Sequence, residues 1–153
     1  MEPFPVHVRA SAGGYDFVFA GRCTAIVYSS QPTVQFRVLL ARAEQELARA
    51  PKDFRLLQGA FLLPNLQRFS DPIDLARASI GFLQRHPEYE AHYTLTRSSL
   101  ISIATDVFLR AYPRFDARLV TNRNEIGFLL RKRERSLPEN WYDLPMLAAS
   151  KSA

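Results

Sequence analysis

The sequence predicts an α+β domain, in which an antiparallel sheet packs against a layer of four to five helices. Three observations lead there. Apolar and polar residues alternate through most of the first thirty positions, and apolar residues then recur at helical spacing from Phe36 to Phe108. Alternation returns between Ala117 and Leu130. The expected sheet therefore has two parts, an N-terminal three-stranded meander and a C-terminal hairpin, both resting on the same helices.

The meander comes first. "FPVHVRA" alternates, "SAGG" interrupts it, "YDFVFA" alternates again, and "CTAIVYS" follows Gly21-Arg22. A two-residue turn at Gly21-Arg22 pairs Phe19 with Thr24, Phe17 with Ile26 and Tyr15 with Tyr28. A four-residue loop at "SAGG" pairs Val6 with Phe19, Val8 with Phe17 and Ala10 with Tyr15. Both registers gather the aromatics on one face and leave His7, Arg9, Asp16, Val18, Cys23 and Val27 on the other.

Four helical stretches follow. The first carries Phe36, Leu39, Leu40, Ala43 and Leu47 on one stripe. A second begins near Lys52 with Phe54, Leu57 and Phe61 and stops at Pro64. The third has the clearest start: Asp71 as N-cap, Pro72 at the first position and Asp74 in the first turn, with Ile73, Ala76, Ile80 and Leu83 as its stripe. The fourth starts at Pro87 behind Glu88 and Glu90, weakens at Thr94 and Thr96, and recovers with Leu100, Ile103, Val107 and Phe108.

The hairpin closes the sheet. A turn at Arg123-Asn124 pairs Thr121 with Ile126, Leu119 with Phe128 and Ala117 with Leu130, which makes Leu119, Ile126, Phe128 and Leu130 a core face.

Length and composition bound the rest. With 153 residues, 47% of them hydrophobic and 23% charged, the chain can bury a core of its own, and residues 1–147 read as one domain. The small polar end, 148–153, reads as a disordered tail. A single cysteine excludes an internal disulfide and fits a reducing compartment. No apolar run reaches the ~18 residues that a spanning helix needs, and "MEPFPVHVRA" has no leader pattern. A cytoplasmic protein away from the membrane is the expectation.

No catalytic motif stands out. Cys23 and His7 lie on strands flanking a common middle strand, roughly 10 Å apart, too far for a thiol–imidazole dyad. In "RHPEYEAHY" the pairs Glu88/His92 and His86/Glu90 have helical spacing, yet two ligands fall short of a zinc site. "SAGGYDF" lacks the lysine and the helix of a phosphate loop, so no cofactor is expected.

Charge supplies the lead. The net charge is +5, and the window from Arg110 to Arg135, with eight bases against three acids, carries all of it. A hairpin with Arg118 and Arg131 on its outer face, Arg123 at its tip and Lys132, Arg133 and Arg135 beyond it would form a ribbon for a phosphate backbone, DNA or RNA. The bland alternative is a charged edge that discourages strand pairing. The apolar tail segment "LPENWYDLPML" offers Trp141, Tyr142, Leu144 and Met146 either to the domain's own core or to a protein partner. The leading expectation is thus a small non-catalytic accessory factor associated with nucleic acid. An adaptor docking through the Trp141 segment comes second, and an enzyme with a site dispersed along the chain third.

Overall fold

The computed structural model describes residues 5–10, 15–69 and 72–145. Six strands form one mixed sheet in sequence order: β1 (Val6–Ala10), β2 (Asp16–Ala20), β3 (Thr24–Tyr28), β4 (Gln58–Leu63), β5 (Ala91–Thr96) and β6 (Asp116–Val120). β1, β2 and β3 pair antiparallel, whereas β3, β4, β5 and β6 are parallel neighbours. Parallel neighbours need a crossover, and each of the three crossovers holds a helix: α1 (Phe36–Leu47), α2 (Pro72–Arg85) and α3 (Leu100–Ala111). Crossovers of one hand stepping in one direction stack their helices on one face of the sheet. A fourth helix, α4 (Arg123–Leu130), and a 3-10 turn at Glu139–Asp143 cover the opposite face. No helix among the described residues is long and apolar enough to cross a membrane.

The fold is therefore α/β with helices on both faces, and the expected antiparallel sheet with a C-terminal hairpin is wrong. Residues 123–130 are a helix because Asn122 caps them, its side-chain oxygen accepting from the backbone N–H of Asn124 at 2.8 Å. Glu125 in the first turn adds to this start signal. Burial follows the helical period: Ile126, Leu129 and Leu130 are buried, while Phe128, assigned to a core face by the hairpin reading, is 67% exposed.

Two further segments change type. "QGAFLL" is β4 and not the end of a helix. A central parallel strand is buried on both faces, so its sequence is a continuous apolar run without alternation, and such a run is easily mistaken for part of a helix. "AHYTLT" is β5, and the threonines that weakened it as a helix suit a pleated strand. α2 starts at Pro72 as expected, with Asp74 in its first turn paired to Arg37 of α1. The proposed cap Asp71, the "SAGG" loop, Met146 and the tail 148–153 lie outside the described residues.

The registers of the first three strands differ by one residue from the expected ones. Ala20 pairs Thr24 and Val18 pairs Ile26, across a three-residue turn made by Gly21, Arg22 and Cys23. Glu134 explains the shift. One of its carboxylate oxygens accepts from the backbone N–H groups of Arg22 and Cys23, both at 3.0 Å, and from the Thr24 hydroxyl at 3.3 Å. Cys23 is thereby held in the turn rather than in the ladder. Gly21 has φ +69°, and a Cβ there would collide with the same carboxylate. A one-residue shift exchanges the two faces of a strand. Phe17 and Phe19 now share a face with Ala25 and Val27, while Val18 and Ala20 share the other with Ile26. Both faces are apolar because both are covered.

Candidate ligand cavity

The parallel registers set one row of residues side by side across the sheet on the α1–α3 face. Ala25 of β3 pairs Gly59 of β4, Gly59 pairs His92 of β5, and His92 pairs Ala117 of β6. Three of the four are the smallest residues available, and the Tyr89 hydroxyl takes the space over Gly59. One step along the strands the row is Val27, Phe61, Thr94 and Leu119, which is bulky again. Between them lies a cavity of about 120 Å³. Its walls include Leu40, Ala43 and Leu47 of α1, Leu75, Phe82 and Leu83 of α2, and Ile101, Ala104 and Phe108 of α3.

Five polar side chains reach this wall: Ser79, Tyr89, His92, Thr94 and Thr105. The Ser79 and Thr105 hydroxyls already donate to the carbonyls of Leu75 and Ile101 in their own helices, at 2.8 and 3.0 Å. Tyr89 and His92 form the distinctive pair. Tyr89 sits in the turn before β5, its ring against Phe82 and Phe115, and its hydroxyl lies 2.5 Å from His92 Nδ1. Gly59 makes this possible, because a Cβ there would collide with the Tyr89 hydroxyl and approach His92 Nδ1 to 3.4 Å.

The pair's protonation follows from its surroundings. Burial pushes the His92 pKa down to about 4 and the Tyr89 phenol far above its ordinary range, so both are neutral at pH 7. With the phenol donating to Nδ1, the imidazole proton sits on Nε2. The other tautomer would leave both the phenol proton and Nε2 without partners. Even in the better arrangement, the buried Nε2 has no partner. His92 retains some accessible surface although its environment is that of a fully buried group.

Three polar contacts among the described residues tie α1 to α2 and the residue after it, alongside the cavity. Arg37 pairs with Asp74 near the amino ends, and Glu44 pairs with Arg85 and His86, both at 2.8 Å, near the carboxyl ends. The half-buried Leu40, Leu47, Leu75 and Ser79 lie along the same two helices. Ion pairs near the surface contribute little to stability, so this seam rests mainly on its apolar contacts.

The residues singled out in the sequence are placed elsewhere. The bases do not form a ribbon. Arg123 and Arg131 lie at opposite ends of α4, about 12 Å apart along its axis. Arg123 stacks on the Tyr142 ring at 5.2 Å, and Arg118 pairs with Asp116 at 2.8 Å. Arg131 donates to the carbonyls of Leu137 and Pro138, which fastens the C-terminal segment. Arg133 bridges Glu90 at 2.9 Å and the Tyr93 hydroxyl at 3.3 Å, and that hydroxyl donates to Asp116. Lys132 lies 5.7 Å from the exposed Phe128 ring, and Arg135 is exposed without an ion pair among the described residues.

Trp141 and Leu144 are buried and Tyr142 half-buried, all packed against the sheet face that α4 covers. Gly127 admits the Trp141 indole, since a Cβ there would come within 2.8 Å of Nε1. Arg97, Arg123, Thr96, Thr121 and Tyr142 line a second, polar cleft of about 210 Å³ at the carboxyl ends of β5 and β6. His86 and His92, considered together as metal ligands, have separate partners, Glu44 and Tyr89.

The parallel strands step in one direction throughout, so they have no reversal point, where α/β sheets commonly open a nucleotide crevice. Comparison with known proteins gives no match: no family model, no curated protein and no solved structure resembles the chain significantly.

Proposed function

We propose that this protein binds a small apolar molecule in the cavity between its helix layer and its sheet, and acts by binding rather than by catalysis. The observation that carries the reading is the Ala25–Gly59–His92–Ala117 row. Close packing is the rule in protein interiors, and an apolar pocket of this size, partly open to solvent between α1 and α2, offers a ligand carbon surface to bury. Apolar cavities of roughly 150 Å³ take up benzene or xenon, and this one is of that order.

The test is ligand-dependent stability. A molecule that binds only the native state at ten times its Kd adds about 1.4 kcal/mol, and the midpoint should rise by roughly 3–5 °C. Benzene and toluene should give that shift, and ethanol at equal concentration should not. If no six-membered hydrocarbon raises the midpoint at any attainable concentration, the reading is wrong.

The nucleic-acid reading keeps part of its support. Arg123, Lys132 and Arg135 are at the surface, but Arg131 and Arg133 are engaged in holding the chain's own carbonyls and side chains. Salt-sensitive DNA or RNA affinity that falls when Lys132 and Arg135 become glutamine would favour it. An adaptor docking through Trp141 has less behind it, because the indole belongs to the domain's own core.

A further inference from the structure

The polar cleft at the carboxyl ends of the parallel strands shares no wall residue with the apolar cavity. We propose that this cleft is a second binding site, one that takes the phosphate group of a small phosphomonoester and holds it with Arg97 and Arg123.

The sheet builds the cleft. Leu63 of β4 pairs Thr96 of β5, and Leu95 of β5 pairs Val120 of β6, so three neighbouring parallel strands end at one level. Pro64, Arg97 and Thr121 are the residues that follow those strands, and all three line the cleft. Ligands of open α/β sheets sit outside the carboxyl ends of the strands. With no reversal point to open a crevice there, another wall comes from Tyr142 in the C-terminal 3-10 turn. Its ring packs against Tyr28 and Trp141, at 6.4 and 5.7 Å, and the Arg123 guanidinium lies over it at 5.2 Å. Such stacking uses the face of a guanidinium and leaves the N–H donors in its plane free.

Charge and donors point to phosphate. Neither Arg97 nor Arg123 has a carboxylate partner among the described residues, and no Asp or Glu lines the cleft. Both arginines are exposed, so a solute in the cleft can reach them. The buried Thr96 hydroxyl accepts from the Ser98 N–H at 3.0 Å, and its own proton goes to no acceptor among the described residues. The Tyr142 phenol stays protonated, because burial, Tyr28 and Asp143 push its pKa up against the pull of Arg123. The wall therefore supplies two unpaired cations and neutral hydroxyl donors. At pH 7 a phosphomonoester brings close to two negative charges and three strong acceptor oxygens, and guanidinium–phosphate pairs are strongest when bidentate. A carboxylate brings one charge. A nucleic-acid backbone spreads single charges along a strand, which a compact cleft of about 210 Å³ with two cations does not follow.

Titration of the whole protein with methyl phosphate and with acetate, at pH 7.5 and constant ionic strength, tests this. Dissociation constants come from ¹⁵N–¹H NMR shifts of the wild type, Arg97→Gln, Arg123→Gln and Arg135→Gln, the last an exposed arginine outside the cleft. Methyl phosphate should saturate the wild type, moving Thr96, Arg97, Thr121 and Arg123, and should bind at least ten-fold more tightly than acetate. Each cleft variant should weaken it by roughly ten- to hundred-fold, the range for a charge-assisted hydrogen bond, and Arg135→Gln should leave it unchanged. No saturable binding overturns the proposal, as does equal weakening by Arg135→Gln, which would mean diffuse attraction to a basic surface. Equal affinity for acetate would show a site for one negative charge and overturn the assignment to phosphate. Tighter binding of an oligonucleotide without a terminal phosphate, in competition with methyl phosphate, would give the cleft to a nucleic-acid backbone and overturn the small ligand.

Discussion

Lowering the pH from 7 to 4.5 should destabilise the protein through His92, and replacing His92 by phenylalanine should remove that part of the loss. The imidazole's ordinary pKa is 6.5, and burial in the folded chain brings it down to about 4. Between those values the unfolded chain holds a proton that the native state does not. Stability from the neutral ring is thus fully present above pH 6.5 and is lost as pH falls toward 4. The linkage relation gives about 1 kcal/mol lost by pH 5.5 and about 2–3 kcal/mol by pH 4.5. Other groups contribute at low pH. Glu44 and Asp116 are desolvated, which raises their pKa, but their bonds to His86 and Arg85 and to Arg118 and Tyr93 outweigh this and hold them low. Those contributions are common to both proteins and cancel in the comparison. Urea unfolding followed by the fluorescence of Trp141, the only tryptophan, supplies the free energies at pH 7, 5.5 and 4.5. The gap between wild type and His92→Phe should narrow by about 2 kcal/mol or more across that range. Parallel pH profiles would show that His92 is not held neutral, and the account of the Tyr89–His92 pair would fall with it.

Three other outcomes follow from the packing. Gly59→Ala should cost about 2–4 kcal/mol, because its Cβ drives the Tyr89 hydroxyl from His92 and presses on the Ala25 carbonyl; a urea midpoint equal to the wild type's would contradict this. Glu134→Ala should cost about 2–4 kcal/mol, since it strips the acceptor from two backbone N–H groups in the β2–β3 turn. The same substitution should speed labelling of Cys23, whose thiol is pushed up to about 12 by burial and by Glu134; in the wild type at pH 8, Ellman's reagent should react no faster than the chain unfolds. Trp141→Ala should cost about 3–5 kcal/mol as a large buried side chain, whereas Lys132→Gln with Arg135→Gln should change stability by less than about 0.5 kcal/mol each.

The legible parts of the sequence were those with local signals. Pro72 and Asp74 marked the start of α2, and the 3.6 spacing of Phe36, Leu39 and Ala43 marked α1. The turn at Gly21 was visible, but its length was not, because Glu134 sets it from 111 residues away. β4 and β5 were hidden by their own burial: a strand covered on both faces loses the alternation that identifies strands. For α4 a usable signal was passed over. Asn122 followed by Glu125 marks a helix start, and the spacing of Ile126, Leu129 and Leu130 supports it. The cavity left no trace at the level of sequence. Ala25, Gly59, His92 and Ala117 are scattered over 93 positions, and only the parallel registers bring them into one row. The basic window was conspicuous for the opposite reason, its charges being close in sequence, yet folding places them on α3, β6, α4 and the segment after α4 and commits several to internal partners.

A crystal of the protein pressurised with xenon tests the cavity most directly. Xenon fills apolar voids of this size without needing a hydrogen bond. The account predicts a bound atom between the sheet and the side chains of α1, α2 and α3, within the walls that include Ala43, Leu75 and Ala104. Side chains closed over that space, with no xenon between the helices and the sheet, would contradict it.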